Sequence, residues 1–317
     1  MLIFYAEPII DKHTFMLYTD SKGRCDMELR ELKYFLAVAR EQSISKAAEA
    51  LFVTQPNLSR QMQNLEKEIG KTLFIRGTKK ITLTETGRLL RKRAEEIIQL
   101  YDQTEAELTA PTTDISGDIY IGGGESYVMG LIAKAAREVR KDHPDVKYRL
   151  FSGDSATVSE RLDKGLIDFG IFIEPFDLSK YDFLRLPLCD TWGVLMRKDS
   201  PLAEKEFITP EDLWDKPLIR SQQSLGKSAV TDWFQRSTEE LNIVATYNLL
   251  YNASLLVEQG LGYAVGLDKI INTSGDSRLC FRPLYPTLIS HLDIAWKKYQ
   301  VFPKCAEIFL KRLQELI

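Results

Sequence analysis

Residues 43–70 have the sequence SISKAAEALFVTQPNLSRQMQNLEKEIG, which predicts two short helices joined by a tight turn. In the first half, apolar residues recur at the i, i+3, i+4 and i+7 spacing of one buried helix face, at Ile44, Ala47, Ala48 and Leu51. In the second half, one narrow sector of the helix holds Leu58, Met62, Leu65 and Ile69. Ser43 and Thr54 precede the two patterns as N-caps, and Pro56 lies in a first turn, where its missing N–H costs nothing.

The second of these helices has a polar face without acidic residues. No Asp or Glu occurs between Glu49 and Glu66. Gln and Asn side chains can pair bidentately with adenine, Arg with guanine, and Ser with a phosphate. The pattern therefore predicts a DNA-binding helix-turn-helix over residues 44–63, with the second helix in a major groove. The predicted DNA contacts are Gln55, Pro56, Asn57, Ser59, Arg60 and Gln63. The alternative interpretation is a helical hairpin with a solvated polar face.

Two short strands are predicted after this helix, over residues 73–75 and 80–83, with a basic turn between them. Such a hairpin is a wing. Its basic residues Arg76, Lys79 and Lys80 are placed to contact phosphates or a minor groove. A solvated basic turn is the alternative.

The charge distribution supports a polyanionic partner for this part of the chain alone. The 317 residues have a net charge of −3, yet residues 27–93 hold 14 Lys and Arg against 7 Asp and Glu. A basic module joined to an acidic remainder is typical of a nucleic-acid-binding module. The sequence contains no apolar run long enough to span a membrane, and we expect a cytoplasmic protein.

One long helix is predicted over residues 85–108. Its apolar positions alternate in steps of four and three, the spacing of a coiled-coil seam, at Leu90, Ala94, Ile97, Tyr101, Thr104 and Leu108. We expect this helix to pair with a second copy of the chain, the alternative being packing on its own chain. Residues 109–116, with Pro111, are the predicted linker.

From Gly117 onward strands alternate with helices, which predicts an α/β domain of two similar units with a cleft between them. The loop 122–126, GGGES, joins a strand to a helix N-terminus, where backbone N–H groups and the helix dipole favour an anion. A tight turn with a helix cap explains the same loop equally well.

The ordered motifs of residues 27–87 resemble the N-terminal domain of LysR-type transcriptional regulators. The matching features include the pair Tyr34-Phe35, the segment from Thr54 to Met62, and the motif Leu83-Thr84-Glu85-Thr86-Gly87. One departure is Asn57, where the family often has a small apolar residue. The remainder of the chain resembles the family's effector domain in topology.

This resemblance implies an α+β multidomain fold class: a winged helix-turn-helix and a long dimerisation helix, followed by a two-lobed α/β effector-binding domain like type 2 periplasmic binding proteins. The expected boundaries are 27–84 for the DNA-binding domain, 85–108 for the dimerisation helix, 109–116 for the linker and 117–317 for the effector domain. Lobe one is expected over 117–173 and 268–317, and lobe two over 176–265.

The resemblance also implies a transcriptional regulator that binds promoter DNA, a small-molecule effector and RNA polymerase as a homodimer or homotetramer, without a cofactor or a catalytic or metal site. The expected effector-binding residues are Gly124, Glu125, Ser126, Glu174, Arg220, Ser221 and Gln222. Mixed charges among them suit a zwitterion, with a simple carboxylate as the rival ligand. The contrasting function is a small-molecule-binding protein or a biosynthetic enzyme of the same fold.

Residues 27–30, MELR, match the usual first residues of this family, so residues 1–26 are either an N-terminal extension or the product of a start codon assigned too far upstream. The four cysteines lack the spacing of a metal site. We expect reduced thiols, with a redox pair between Cys280 and Cys305 as the alternative.

Overall fold

The computed structural model describes residues 27–77, 80–109, 115–226 and 228–317. The chain divides into two compact units, Met1–Gln103 and Thr104–Ile317. The predictions for residues 1–26, for Lys79 and for most of the linker fall outside the described residues.

The first unit is a helical domain with a small wing. Its elements are helices α1 (Leu29–Glu41), α2 (Ile44–Ala50) and α3 (Gln55–Ile69), strands β1 (Phe74–Arg76) and β2 (Ile81–Leu83), and the start of helix α4 (Glu85–Thr109). The two strands are antiparallel. One core holds the predicted stripes of both short helices, including Ala47, Leu58, Met62 and Leu65, each with no exposed surface.

The caps of the two short helices differ from each other. Ser43 Oγ accepts a hydrogen bond from the Lys46 N–H at 3.4 Å, as predicted. Thr54 occupies the N-cap position of α3, and its carbonyl oxygen accepts from Leu58 N at 3.1 Å. Its side chain makes no capping hydrogen bond, so the prediction was wrong for the Thr54 hydroxyl.

The wing is hydrogen-bonded to helix α3 through backbone N–H groups. Glu66 Oε1 accepts from the N–H groups of Leu73 and Phe74, at 2.7 and 3.1 Å. The Leu73 carbonyl oxygen accepts from Thr84 N at 3.0 Å, and Thr84 Oγ1 accepts from Gly87 N at 3.0 Å. A Cβ on Gly87 would lie 2.2 Å from that same Leu73 oxygen, so only glycine fits there. The motif residues therefore hold the wing and the start of α4 against α3.

The predicted seam on helix α4 consists of a part that packs on its own domain and a part that is exposed. Leu90 and Ala94 pack on the core of their own domain, and Ala94 has no exposed surface. Farther along the helix, Ile97, Tyr101 and Leu108 are exposed. The six-residue seam is therefore wrong at its first two positions, because the domain core already covers them.

The second unit is built on mixed β-structure with helices on its faces. Its strands are β3 (Gly117–Gly123), β4 (Val146–Ser152), β5 (Phe169–Ile173), β6 (Tyr181–Arg197), β7 (Leu218–Ser221), β8 (Ile243–Tyr247), β9 (Tyr263–Leu267), β10 (Leu279–Pro283) and β11 (Ile289–Lys297). Its helices are α5 (Met129–Asp142), α6 (Ser155–Asp163), α7 (Ala229–Phe234), α8 (Leu250–Glu258) and α9 (Lys304–Glu315). The strand order is β4-β3-β5-β11-β6-β9-β7-β8, and β10 pairs with β6.

Strand β6 belongs to both lobes of this unit. Its first part pairs with β11, up to Thr191, and its last part pairs with β9 and β10. Lobe one therefore contains β3, β4, β5, β11 and the start of β6. Lobe two contains β7 to β10 and the end of β6.

These pairings place the crossings between lobes inside β6 near Trp192 and between Pro283 and Ile289. The lobe boundaries expected from the sequence, at residues 173–176 and 265–268, are replaced by these two positions, because strand pairing and not chain order decides lobe membership. Cys280 and Cys305 lie in separate buried cores, which removes the basis for pairing them. None of the described helices has the length and apolar character needed to cross a membrane.

Candidate nucleic-acid interface and effector cleft

Helix α3 presents the predicted DNA contacts to solvent. Its apolar stripe faces the core, and the predicted contacts Gln55, Pro56, Asn57, Arg60 and Gln63 are exposed. Ser59 is half-buried at the border of that face. The helix ends at Ile69, and its C-cap residue is Gly70, whose φ of 70° is left-handed and suits glycine. A rigid helix with one free polar face is the shape that enters a major groove.

The wing places further basic residues on the surface. Arg76 and Lys80 are exposed, and Gly77 N donates to the Lys80 carbonyl oxygen at 3.1 Å. Lys79 lies outside the described residues. Among the described residues, every predicted DNA contact is therefore exposed except Ser59, which is half-buried.

A cavity of about 200 Å³ lies between the two lobes of the second unit. Four of the seven predicted effector residues line it: Gly124, Glu125, Glu174 and Ser221. Its apolar lining includes Ile173, Pro175, Trp192, Val230, Leu250, Leu267 and Ile270. Hydroxyl and amide groups add Ser155, Gln223, Ser224, Ser228, Tyr247, Asn248 and Ser290. An apolar pocket with a few converging polar groups is the usual form of a small-molecule site.

Three predicted effector residues are absent from the described cavity lining. Ser126 lies at a neighbouring pocket, and its Oγ accepts from Val128 N at 2.9 Å. Gln222 is exposed, and Gln223 takes its place at the cavity, because residues 222–224 form a 3₁₀ turn. Arg220 is fully buried behind the wall, where its Nη2 donates to the Ser224 carbonyl oxygen at 2.5 Å.

Two hydrogen-bonded bridges cross the cleft, and sequence reasoning missed both. Glu125 Oε2, in lobe one, accepts from the N–H groups of Leu250 and Tyr251 at the start of α8 in lobe two. Gln223 Oε1, in lobe two, accepts from Ser155 N at 3.2 Å, at the start of α6 in lobe one. Glu125 thus caps α8, whereas Gln223 satisfies the first N–H of α6, whose own N-cap is Asp154. Only three-dimensional proximity could have shown this, because the partners lie 125 and 68 positions apart.

Glu174 at the cavity rim already has a cationic partner. Its carboxylate forms an ion pair with Arg185, whose Nε donates to Asp293 Oδ1 at 2.6 Å. Burial raises the pKa of Asp293, while Arg185 opposes that shift. Glu174 is therefore held in a network between β5, β6 and β11, and its charge is compensated within the protein.

Comparisons with known proteins bear on both regions. The family model "Bacterial regulatory helix-turn-helix protein, lysR family" matches residues 29–88, and "LysR substrate binding domain" matches residues 113–317. The Hca operon transcriptional activator HcaR of Escherichia coli is 28% identical over 295 residues, which cover 91% of this chain and 98% of that protein. The transcriptional regulator AlsR of Bacillus subtilis is 33% identical over 211 residues, 66% of this chain and 69% of AlsR.

Solved structures agree with this fold. Full-length CbnR in complex with its target DNA has a TM-score of 0.71 at 19% identity, covering 92% of this chain and all of that one. Full-length BenM has a TM-score of 0.50 at 26% identity, covering 92% and 96%. The predicted fold class and the predicted regulatory function, with a DNA-binding domain followed by an effector-binding domain, are both confirmed. The chain belongs to the LysR family of transcriptional regulators.

Proposed function

We propose that this protein binds promoter DNA through the exposed face of α3 and the wing, and that a small molecule in the interlobe cavity controls the response. The observation that carries the proposal is a polar surface without acidic residues over residues 55–64 of α3, on a helix whose Leu58, Met62 and Leu65 have no exposed surface. The residues proposed to contact bases or phosphates are those predicted from the sequence, with Arg76, Lys79 and Lys80 on phosphates or in the minor groove.

Replacing Arg60 by alanine tests this DNA face. We expect specific binding to the promoter to weaken by about tenfold, since an exposed Arg at this face can pair bidentately with guanine. The measurement is a gel shift on the DNA upstream of the protein's own gene. The matched control is Arg137→Ala, an exposed arginine on α5 in the other unit, which should leave the affinity unchanged. Equal affinities for Arg60→Ala and wild type, with both proteins folded, would contradict the proposed interface.

The exposed stripe on α4 is the proposed dimerisation surface. Leu89, Ile97, Leu100, Tyr101 and Leu108 are exposed apolar residues that fall within about 120° of one helix face. The stripe is long and apolar enough to pair with a second copy of this helix. Helix α8 exposes Tyr251 and Leu255, which offers the second surface that a tetramer needs.

An Ile97→Asp variant should weaken that pairing. A carboxylate at the centre of the stripe would have to be buried without a partner, which opposes association. We expect sedimentation velocity to show a smaller species than wild type at the same concentration. Lys92→Asp, on the flank of the helix, is the charge-changing control and should retain the wild-type assembly. An intact assembly in Ile97→Asp would place the contact elsewhere.

The effector is proposed to act on the lobe arrangement, and thereby on the spacing of the paired DNA-binding domains. Activation, as opposed to repression, would also need contact with RNA polymerase. We assign a regulatory and not an enzymatic role, and a cytoplasmic location, since transcription takes place there. The proposed domains are a DNA-binding domain over 27–84, a dimerisation helix over 85–108, a linker over 109–116 and an effector domain over 117–317.

A further inference from the structure

Arg220 is a fully buried cation behind the wall of the interlobe cavity. It has no exposed surface, and burial lowers its pKa to about 10, so the guanidinium is still charged at neutral pH. Its Nη2 donates to the Ser224 carbonyl oxygen and to Thr231 Oγ1, at 2.5 and 3.2 Å. Its Nε and Nη1 are buried without a hydrogen-bond partner among the residues that the structure describes.

Within those residues no carboxylate pairs with this charge. The Phe234 ring, whose centroid lies 4.9 Å from Arg220 Cζ, supplies a partial cation–π contact. A buried charge without a counter-ion is unfavourable, and such groups are concentrated at functional sites. The positive charge of Arg220 therefore requires a reason beyond packing.

The hydrogen bonds that Arg220 makes do not supply that reason. The Ser224 carbonyl oxygen also accepts from Ser228 Oγ at 3.1 Å and from Thr231 Oγ1 at 2.8 Å. These hydroxyl groups would satisfy the carbonyl without the arginine. Ser224 and Ser228 themselves line the cavity, so Arg220 is hydrogen-bonded to a residue of the cavity wall.

The two acidic groups at the cavity, Glu174 and Glu125, already have hydrogen-bond donors within the protein. Glu174 is paired with Arg185, and Glu125 accepts from the N-terminus of α8. Both charges are therefore partly compensated within the protein, which weakens their attraction for a ligand ammonium group. The rest of the lining combines hydroxyl donors with apolar side chains such as Trp192 and Leu267.

We propose that the cavity selects a small monocarboxylate, or a comparable anion, with an apolar body, and that Arg220 sets this charge preference from behind the hydroxyl wall. The ligand's negative charge compensates the guanidinium, and the wall hydroxyls hold the anionic group. The apolar body occupies the side of the cavity lined by Trp192, Leu250 and Leu267. This inference rests on the proposed effector role of the cavity. It replaces the zwitterion expected from mixed charges.

The first experiment measures how tightly matched probes bind to the full-length protein, by calorimetry and by the change in melting temperature followed with tryptophan fluorescence. One series is 4-methylpentanoate, 4-methylpentanamide and leucine, and the other is phenylacetate, phenylacetamide and phenylglycine. We expect each acid to bind at least about tenfold more tightly than its amide and its amino-acid analogue. Equal binding of acid and amide, or no binding of either acid at millimolar concentration, would overturn the proposal.

The second experiment changes Arg220 itself. Arg220→Met should remove the preference for the acid, and without probes it should melt no lower than wild type, because an uncompensated charge is lost and Ser224 keeps its donors. Arg220→Lys retains a charge and should retain part of the preference. The control is Arg282→Met: Arg282 donates to the carbonyl oxygens of Lys205 and Ala203, so this variant should melt lower and keep the full preference.

These outcomes test the proposed ligand class and the proposed function independently of each other. A protein that shifts promoter DNA but binds acids and amides equally refutes the anion and leaves the regulator intact. A protein that fails to shift any DNA refutes the proposed function, whatever it binds. An Arg220→Met variant that still prefers the acid would show that another group provides the charge, and would overturn the role of Arg220.

Discussion

Gly87→Ala is expected to unfold the DNA-binding domain at a much lower temperature than wild type, with a loss of about 3 kcal/mol or more. The new Cβ would lie 2.2 Å from the Leu73 carbonyl oxygen and 3.2 Å from Leu83 Cδ2. The obstacle is backbone, so it cannot rotate away as a side chain would. The same carbonyl accepts from Thr84, so moving it would also disturb the hydrogen bond that joins the wing to α4.

The readout separates the two units, because all four tryptophans, Trp192, Trp214, Trp233 and Trp296, lie beyond residue 103. The variant should lose specific DNA binding and part of its helical circular dichroism on heating, while the tryptophan transition stays in place. The control is Gly130→Ala near the start of α5, where a Cβ meets nothing within 4 Å. It should be stabilised by roughly 0.5 kcal/mol, because alanine favours the helix. A Gly87→Ala protein as stable as wild type would show that the contact between α4 and the wing is adaptable.

Asp168→Asn is expected to stabilise the second unit at neutral pH by roughly 1–3 kcal/mol. Burial raises the pKa of Asp168 from 3.8 to about 6. The hydrogen bond from Tyr120 N, at 2.8 Å, lowers this pKa, and the negative charge of Glu107 raises it further. The folded state therefore binds a proton more tightly than the unfolded chain. The unfavourable contribution of the carboxylate is absent below the unfolded pKa, grows between about pH 4 and pH 6, and is complete above pH 6. An asparagine keeps an oxygen for the Tyr120 N–H and carries no charge.

Tryptophan-detected melting at several pH values checks this prediction. The gain in melting temperature should be largest above pH 6 and should vanish near pH 4. Asp182→Asn, an exposed carboxylate on β6, is the control and should give little change at either pH. A gain for Asp168→Asn that is the same at both pH values would mean that charge is not its cause.

Local patterns predicted the DNA-binding domain well because its determinants are close in sequence. The stripes of α2 and α3, the Ser43 cap and the wing depend on residues a few positions apart. The seam on α4 was predicted less well, since Leu90 and Ala94 satisfy the same spacing whether a second chain or their own domain covers them.

The cleft was harder to predict because it depends on contacts between distant segments. The loop at 122–126 was placed correctly at a strand end, yet only Gly124 and Glu125 reach the cavity. Arg220 and Ser221 are neighbours on one strand and therefore point to opposite sides, which leaves only Ser221 at the cavity. The lobe boundaries required the pairing of β6 with β11 and β10, which no local pattern encodes.

The hydrogen bonds across the cleft imply that a ligand would act by shifting the populations of two lobe arrangements. Separating the lobes would uncap α8, a loss of about 1 kcal/mol. Helix α6 would lose the acceptor of its Ser155 N–H but keep its own cap, Asp154, on Thr157 N. The α8 cap alone favours the closed arrangement by about fivefold. A molecule whose affinities for the two arrangements differ by more than that ratio, in favour of the open one, could reverse the balance. A modest difference in affinity would then be enough to act as a switch.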